Sequence, residues 1–255
     1  MLAINTNNIS LAWTACVEHM IANRTTHISP LVISLSGFSD SMPEEDMDIR
    51  IALDELLKAE KLDSVHTVAN TIFPENLWRA AAGDRSLFFS RYIKALPRYR
   101  KLEPYKNGRG LYFERLTAYG RGPKDGNQLE FILSSYRKGI VEMKLQATLF
   151  DPERDLTPAA RIGFPCLQQV SFLPANGGLS VNAFYATQLL IEKAYGNMLG
   201  LSRLGRFMAT ELGLELNEVN CYVGNEKLRS AKKRVQHLVD MAAKKLPAVR
   251  RLSSK

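Results

Sequence analysis

Residues 165–200 read PCLQQVSFLPANGGLSVNAFYATQLLIEKAYGNMLG, and the fold turns on this stretch. Pro165-Cys166 heads an extended apolar run, Asn176-Gly177-Gly178 turns the chain, and a second extended run returns. Asn and Gly between β-forming segments are the chemistry of a tight hairpin. Residues 187–212 then predict the longest helical region, with a polar break at Gly196-Asn197 and a stop at Gly213. No other stretch joins a candidate nucleophile, a rigid hairpin and a polar interruption of a helix.

Upstream, ISLAWTACVEHMIA (9–22) has helical apolar spacing with Ser10 or Asn8 as cap, and Pro30 opens a short strand, LVISLSG. Ser41-Met42-Pro43-Glu44-Glu45 predicts a helix start, carrying the helix to about Lys61. SVHTVANTIFP is rich in β-formers. Helix is expected again from Glu75, with a break near Gly83-Asp84, and a basic, tyrosine-containing loop over 96–110. NQLEFILSSYRKG reads as a helix and IVEMKLQATLF as a strand. Downstream, NEVNCYVG reads as a strand, and 228–246 as an amphipathic helix with Leu228, Ala231, Val235, Leu238, Ala242 and Leu246 on one face. Strands interspersed with helices, without a βαβ repeat, predict an α+β single domain over 1–228, followed by a basic helix and tail over 229–255.

Apolar residues make up 45% of the chain, enough to bury a sizeable core, and no apolar run approaches the ~18 residues of a membrane span. Absence of a secretory pattern, together with three cysteines lacking metal-ligand spacing, leads us to expect a reduced, cytoplasmic protein without membrane attachment. The net charge of +8 is not a property of the body. Residues 225–255 hold ten Lys/Arg and two Asp/Glu, leaving 24 of each sign elsewhere. That segment is a solvated helix face and tail or, alternatively, a site for nucleic acid.

Dinucleotide-binding, P-loop, zincin and nucleophile-elbow motifs are all missing. Cys16 and His19 share a helix face without further ligands nearby and read as core. Cys166 is, on local sequence, either a small buried hydrophobe or a nucleophile, its thiolate favoured by a cation such as Arg161 or Arg24.

The run from Pro165 to Leu214 resembles the thymidylate synthase family and its pyrimidine hydroxymethylase relatives. The resemblance rests on Pro165-Cys166, the hairpin with Leu179-Ser180, Tyr185, Gly196-Asn197 and Gly213-Leu214-Glu215. It continues upstream through Gly110-Leu111-Tyr112, Arg115-Leu116, Asn127-Gln128-Leu129 and KLQATLFDP (144–152), covering roughly 110–228. It implies a thymidylate synthase-like mixed sheet with packed helices and a homodimer. It also implies one-carbon transfer to C5 of a pyrimidine nucleotide, with 5,10-methylenetetrahydrofolate as donor. Cys166 is similar to the nucleophile that adds to C6, Tyr112 to the tyrosine assisting proton removal from C5, and Asn197 to the asparagine on the base edge.

Departures are equally specific. Ala186-Thr187 stand where the family has a phosphate-gripping arginine and serine, Leu189 where it has an aspartate near folate, and Leu167 where the synthases have histidine. Lys227 and Arg229 stand where a histidine and a tyrosine hold the sugar. Losing the arginine removes a bidentate phosphate contact. Lys227 and Arg229 offer replacement charge, Arg24 resembles the family's mobile arginine loop, and Lys144 lies near where a partner subunit donates an arginine. Two functions follow as expectations: an atypical C5 methyl- or hydroxymethyltransferase, or a family-like protein that binds nucleotide, nucleic acid or protein without turnover.

Overall fold

The computed structural model describes residues 1–136, 139, 142–158, 164–175, 177–229, 236–237 and 240. Its strands are β1 (Leu2–Thr6), β2 (His27–Ile28), β3 (Leu31–Ser36), β4 (Gln146–Thr148), β5 (Leu167–Ala175), β6 (Gly178–Tyr185), β7 (Gln188–Leu189), β8 (Glu215–Val223) and β9 (Glu226–Lys227). The helices are α1 (Ile9–Ala22), α2 (Met47–Ala59), α3 (Val65–Ile72), α4 (Glu75–Ala80), α5 (Arg85–Leu102), α6 (Pro104–Asn107), α7 (Tyr112–Thr117), α8 (Gln128–Tyr136), α9 (Pro152–Asp155) and α10 (Tyr195–Leu212).

Six strands form one mixed sheet in the order β1-β3-β8-β6-β5-β4, and β2-β9-β7 form a second, small sheet. The pairs β1–β3 and β6–β8 are parallel, each bridged by a helix, α1 and α10 respectively. The other pairs in the main sheet are antiparallel, so the α+β expectation holds. Alternation along the strands buries one face: Leu31, Ile33 and Leu35 of β3, Val181 and Tyr185 of β6, and Val219 and Val223 of β8. Helices α1 and α10 pack on the sheet, and an aromatic cluster of Phe73, Trp78, Phe88, Phe113 and Phe207 fills the space beyond α10. The opposite face carries a hydrogen-bonded polar network beside a stacked, exposed aromatic pair, Phe184 and Tyr222. Ser34 and Ser180 both donate to Glu218, Asn220 donates to Asn182, and Asn182 to Ser171.

Helix α10 runs unbroken through Gly196 and Asn197, contrary to the expected polar break. Its glycines answer to packing instead. A β-carbon at Gly196 would lie 2.6 Å from Val68 Cβ, and one at Gly200 would lie 2.8 Å from Ala69 O, so only glycine lets α3 approach this closely. The real irregularity comes earlier: residues 188–189 form β7, and Leu190–Ala194 are π-helical before α10 begins. The helix ends as expected, with Gly213 left-handed at φ 73°.

Other local readings change for identifiable reasons. SVHTVANTIFP is α3, not a strand: Ser64 caps it by accepting from Thr67 N–H, and Val65, Val68, Ala69 and Ile72 form a helical apolar face. The second helix starts at Met47 rather than near Ser41. The backbone of Glu44 is committed to Asn7 O and Ile9 N–H, and Asp46 takes over as cap. Helix α5 carries through Pro97 to Leu102, where a loop was expected. Of the strand expected over 140–150, residues 146–148 form β4 and 142–144 a 3-10 turn, while 140–141 lie outside the described residues. The edge strand β1, unread in the sequence, pairs with β3. Most of the basic helix expected over 228–246 lies outside the described residues.

Replacing Gly200 with Val is expected to destabilise the fold by about 2–3 kcal/mol, overpacking outweighing the gain in helix propensity. Urea unfolding checks this; an unchanged midpoint would contradict the packing account.

Candidate functional site

The ends of β6 and β8, being parallel, finish side by side, and the chain gathers its reactive groups there. Ala186 N–H donates to Cys166 O (3.0 Å) and Gly224 N–H donates to Tyr185 O (2.9 Å). Gln188 N–H donates to Asn225 O (3.0 Å), which brings β7 beside β9. A bulge between Leu167 and Gln169 interrupts the β5–β6 register immediately after Cys166. Bulges of this kind redirect neighbouring side chains at the rims of sheets.

Tyr112, the first residue of α7, brings its hydroxyl to this point and accepts from Leu167 N–H at 3.5 Å. One turn later Arg115 anchors α7. Its guanidinium makes a bidentate pair with Asp155 (2.7 and 2.8 Å) and donates to Leu149 O and Arg109 O. Both ionised side chains are almost fully buried, and the pair ties α7 to the segment that leads back to Cys166. On the other side, the π-helical turn is held by Trp13 Nε1, which donates to Leu190 O at 2.9 Å. That turn carries Glu192 and Lys193, the latter paired with Asp63 at 2.8 Å.

Electrostatics at the thiol are mixed. Burial pushes Cys166 above the ordinary thiol range, and the charge of Glu226 adds to this. Lys193, a hydrogen bond from Tyr112 and Arg229 pull in the opposite direction. Tyr112 itself is raised by burial, then by Cys166, so its phenol is neutral at physiological pH. Burial likewise raises Tyr185 and Glu226, with Glu192 the further cause at Glu226. Tyr185 Oη, Glu192 Oε2, Asn197 Oδ1 and both carboxyl oxygens of Glu226 are buried without a hydrogen-bond partner among the described residues. Buried polar atoms are ordinarily paired with protein groups or ordered water, so these atoms hold hydrogen-bonding capacity that the described residues do not use.

The expected site residues separate into two groups. Cys166 and Tyr112 meet directly. Asn197 lies buried in the first turn of α10 with its Oδ1 free of partners among the described residues. Lys227 is half-buried in β9, paired in register with Leu189, so two departures from the resembled family face each other. Arg229 is exposed and acts on the thiol through its charge. Arg24 is exposed in the turn after α1, with φ 52°. Lys144 is exposed in a short turn before the edge strand β4. Arg161 lies outside the described residues. Sequence reasoning did not single out Glu192, Lys193 and Glu226; the available signal was charge inside the apolar run LLIEKAY and at the end of a strand, NEK. All three cysteines are free, Cys16 and Cys221 being buried, and no cluster among the described residues is arranged to hold a metal. No helix among the described residues is long and apolar enough to cross a membrane.

No protein-family model matches the chain. Over 105 residues it is 27% identical to a curated protein of Methanocaldococcus jannaschii named "Putative thymidylate synthase". The match takes in 40% of this chain and 47% of that relative, so the chain spans about half the length of the curated relative it matches. The likeness supports a thymidylate synthase-like relationship.

Two outcomes test the site. Alkylation of the folded protein should modify Cys166 before Cys16 and Cys221, with a pH midpoint above that of an ordinary thiol, and Tyr112→Phe should move the midpoint higher. Peptide mapping across pH reads this; equal labelling of all three thiols, or a lower midpoint in the variant, would contradict it. Arg115→Met should cost about 3–5 kcal/mol in chemical denaturation, because it strands Asp155 as a buried charge.

Proposed function

We propose that this chain transfers a one-carbon unit to C5 of a pyrimidine nucleotide or related compound, as a methyl- or hydroxymethyltransferase. Cys166 is the nucleophile and 5,10-methylenetetrahydrofolate the proposed donor. The observation that carries the reading is the contact between Cys166 and the Tyr112 hydroxyl beside a set of buried polar groups without partners among the described residues. Addition of the thiolate to C6 forms a carbon–sulfur bond while the C5–C6 π pair moves onto C5, which then carries the nucleophilic electrons. The neutral Tyr112 phenol donates to the thiolate before attack; the C5 proton later passes to a solvent water oriented by the phenol oxygen, and the C5–C6 double bond re-forms as the Cys166 thiolate leaves C6. Lys193 and Arg229 favour the thiolate electrostatically. Asn197 reads the base edge with an amide that both donates and accepts. Arg24, Lys144 and Lys227 are the proposed phosphate contacts.

The donor is proposed from resemblance alone. The side chain of Leu189, half-buried beside β9, offers no acceptor to a pterin ring. A homodimer is also proposed, with the polar sheet face around Asn182 and Asn220 as the surface a second copy would cover, and Lys144 reaching the partner's site. The cytoplasm is the expected location.

A second reading, binding without turnover, is favoured by the upward shift of the thiol and by Ala186 at the expected phosphate arginine. It predicts nucleotide binding without chemistry at C5, or salt-sensitive nucleic-acid binding that disappears when the charges of residues 225–255 are neutralised.

Tritium release from C5-labelled pyrimidine nucleotides, measured with folate present, separates the readings. The transferase reading expects release by the natural protein and none by a folded Cys166→Ser variant. No release from any common pyrimidine nucleotide would overturn it.

A further inference from the structure

Helix α5 carries charge of one sign. Residues 85–109 hold eight Lys/Arg and one Asp/Glu, against 16 basic and 23 acidic residues over the rest of 1–224. The neutral balance of the body therefore hides a separation of charge, with its basic part on one helix and the loop after it. Arg85 is spent on Glu130 and Glu211, and Arg100 on Glu114. Arg91 donates to Ala80 O (2.7 Å) while remaining exposed. Lys94, Arg98 and Lys101 are exposed and make no ion pair among the described residues.

Phe88, Phe89, Tyr92 and Leu96 form the buried face of α5. At about 100° per residue, Arg91, Lys94, Arg98 and Lys101 fall within an arc of about 80° on the opposite side, along about 15 Å of helix axis. A duplex carries one negative charge per about 1.7 Å of its axis, so a line of this length meets several phosphates. No acid interrupts the line, and the outward positions between its cations are Ser90 and Pro97. The exposed apolar residues nearest to it, Leu87 and Leu102, stand at opposite ends of the helix. They form no continuous apolar face for a bilayer and no central anchor for a protein partner. The rings of α5 are buried or half-buried, which leaves no platform for unpaired bases.

We propose that the outward face of α5 is a binding surface for double-stranded nucleic acid, gripping backbone phosphates without reading sequence. The surface acts independently of the basic segment 225–255 and stands apart from the one-carbon chemistry at Cys166.

Fluorescence anisotropy with a labelled DNA duplex of mixed sequence tests this, on the full chain with every Lys and Arg of 225–255 changed to Gln. That protein should still bind at low salt, with log affinity falling against log salt at a slope of about −3 to −4. Adding Lys94→Gln and Lys101→Gln should weaken binding about tenfold or more and make the slope shallower by about two. Lys58→Gln with Lys61→Gln removes the same charge from exposed positions at the end of α2, and should leave both readings nearly unchanged. Thermal melting confirms that each variant folds. Loss of all duplex binding once the tail is neutralised would overturn the proposal and assign nucleic-acid binding to the tail. An equal loss in the α2 control would reduce it to net charge. Binding to anionic phospholipid vesicles or to polyglutamate as tightly as to the duplex would overturn it in favour of a membrane or an acidic protein. Cys166-dependent tritium release judges the transferase reading separately.

Discussion

The close approach of α10 to α3 on one side and to the sheet on the other is the constraint from which the rest of the structure follows. Ala69 O lies 2.8 Å from where a β-carbon at Gly200 would be, and Val68 Cβ 2.6 Å from that of Gly196, both too close for any residue but glycine. Because α10 is enclosed on nearly all sides, it fixes the level at which β6 ends before it and β8 begins after it. Dense interiors transmit such constraints without much slack. The placement of Tyr185, Glu192 and Glu226 at one end of the sheet is therefore a consequence of helix packing as much as of strand pairing.

Two buried charge systems sit on opposite sides of Cys166 and differ in kind. Arg115 and Asp155 form a bidentate pair, with carbonyls from Leu149 and Arg109 accepting further hydrogen bonds and only Arg115 Nε left without a partner among the described residues. A pair of this sort adds little net stability over apolar packing but penalises every arrangement that separates its members, which makes it a positioning device for α7 and Tyr112. Glu192 and Glu226 are the reverse, two acids that raise one another's cost, with both oxygens of Glu226 and one of Glu192 lacking a partner among the described residues. Structural economy accounts for the first system and does not account for the second. Stability given up in this way is characteristic of sites that act on something outside the chain.

Much of this was legible in the sequence where short-range chemistry decides conformation. The hairpin around Gly177, the left-handed stop at Gly213 and helix α1 follow from turn residues, capping and apolar period. The α3 segment was misleading because its β-branched residues serve a helical face that only its packing against Gly196 and Gly200 explains. Gly196 was misread for the same reason in reverse: a glycine beside an asparagine signals a break locally, whereas here it is a contact surface. Cys166 and Tyr112 were found through spacing shared with a known family. Glu226 was not, because two short strands pairing across distant parts of the chain, β7 with β9 and β9 with β2, bring it under the site. No periodicity within a segment encodes such a meeting.

The π-helical turn at Leu190–Ala194 sets a phase. Each helical residue advances the side-chain direction by about 100°, and a π turn accommodates one residue more than the ladder beyond it would allow. From that turn Lys193 acts on the thiol and Glu192 on Glu226, while Trp13 clamps the turn's first carbonyl. Chemistry at these positions is thus coupled to chain length rather than only to residue type. In a lineage of such proteins, substitution at 192 and 193 can retune what the pocket accepts while the scaffold stands. A single deletion there would swing both side chains away together and remove the site in one step.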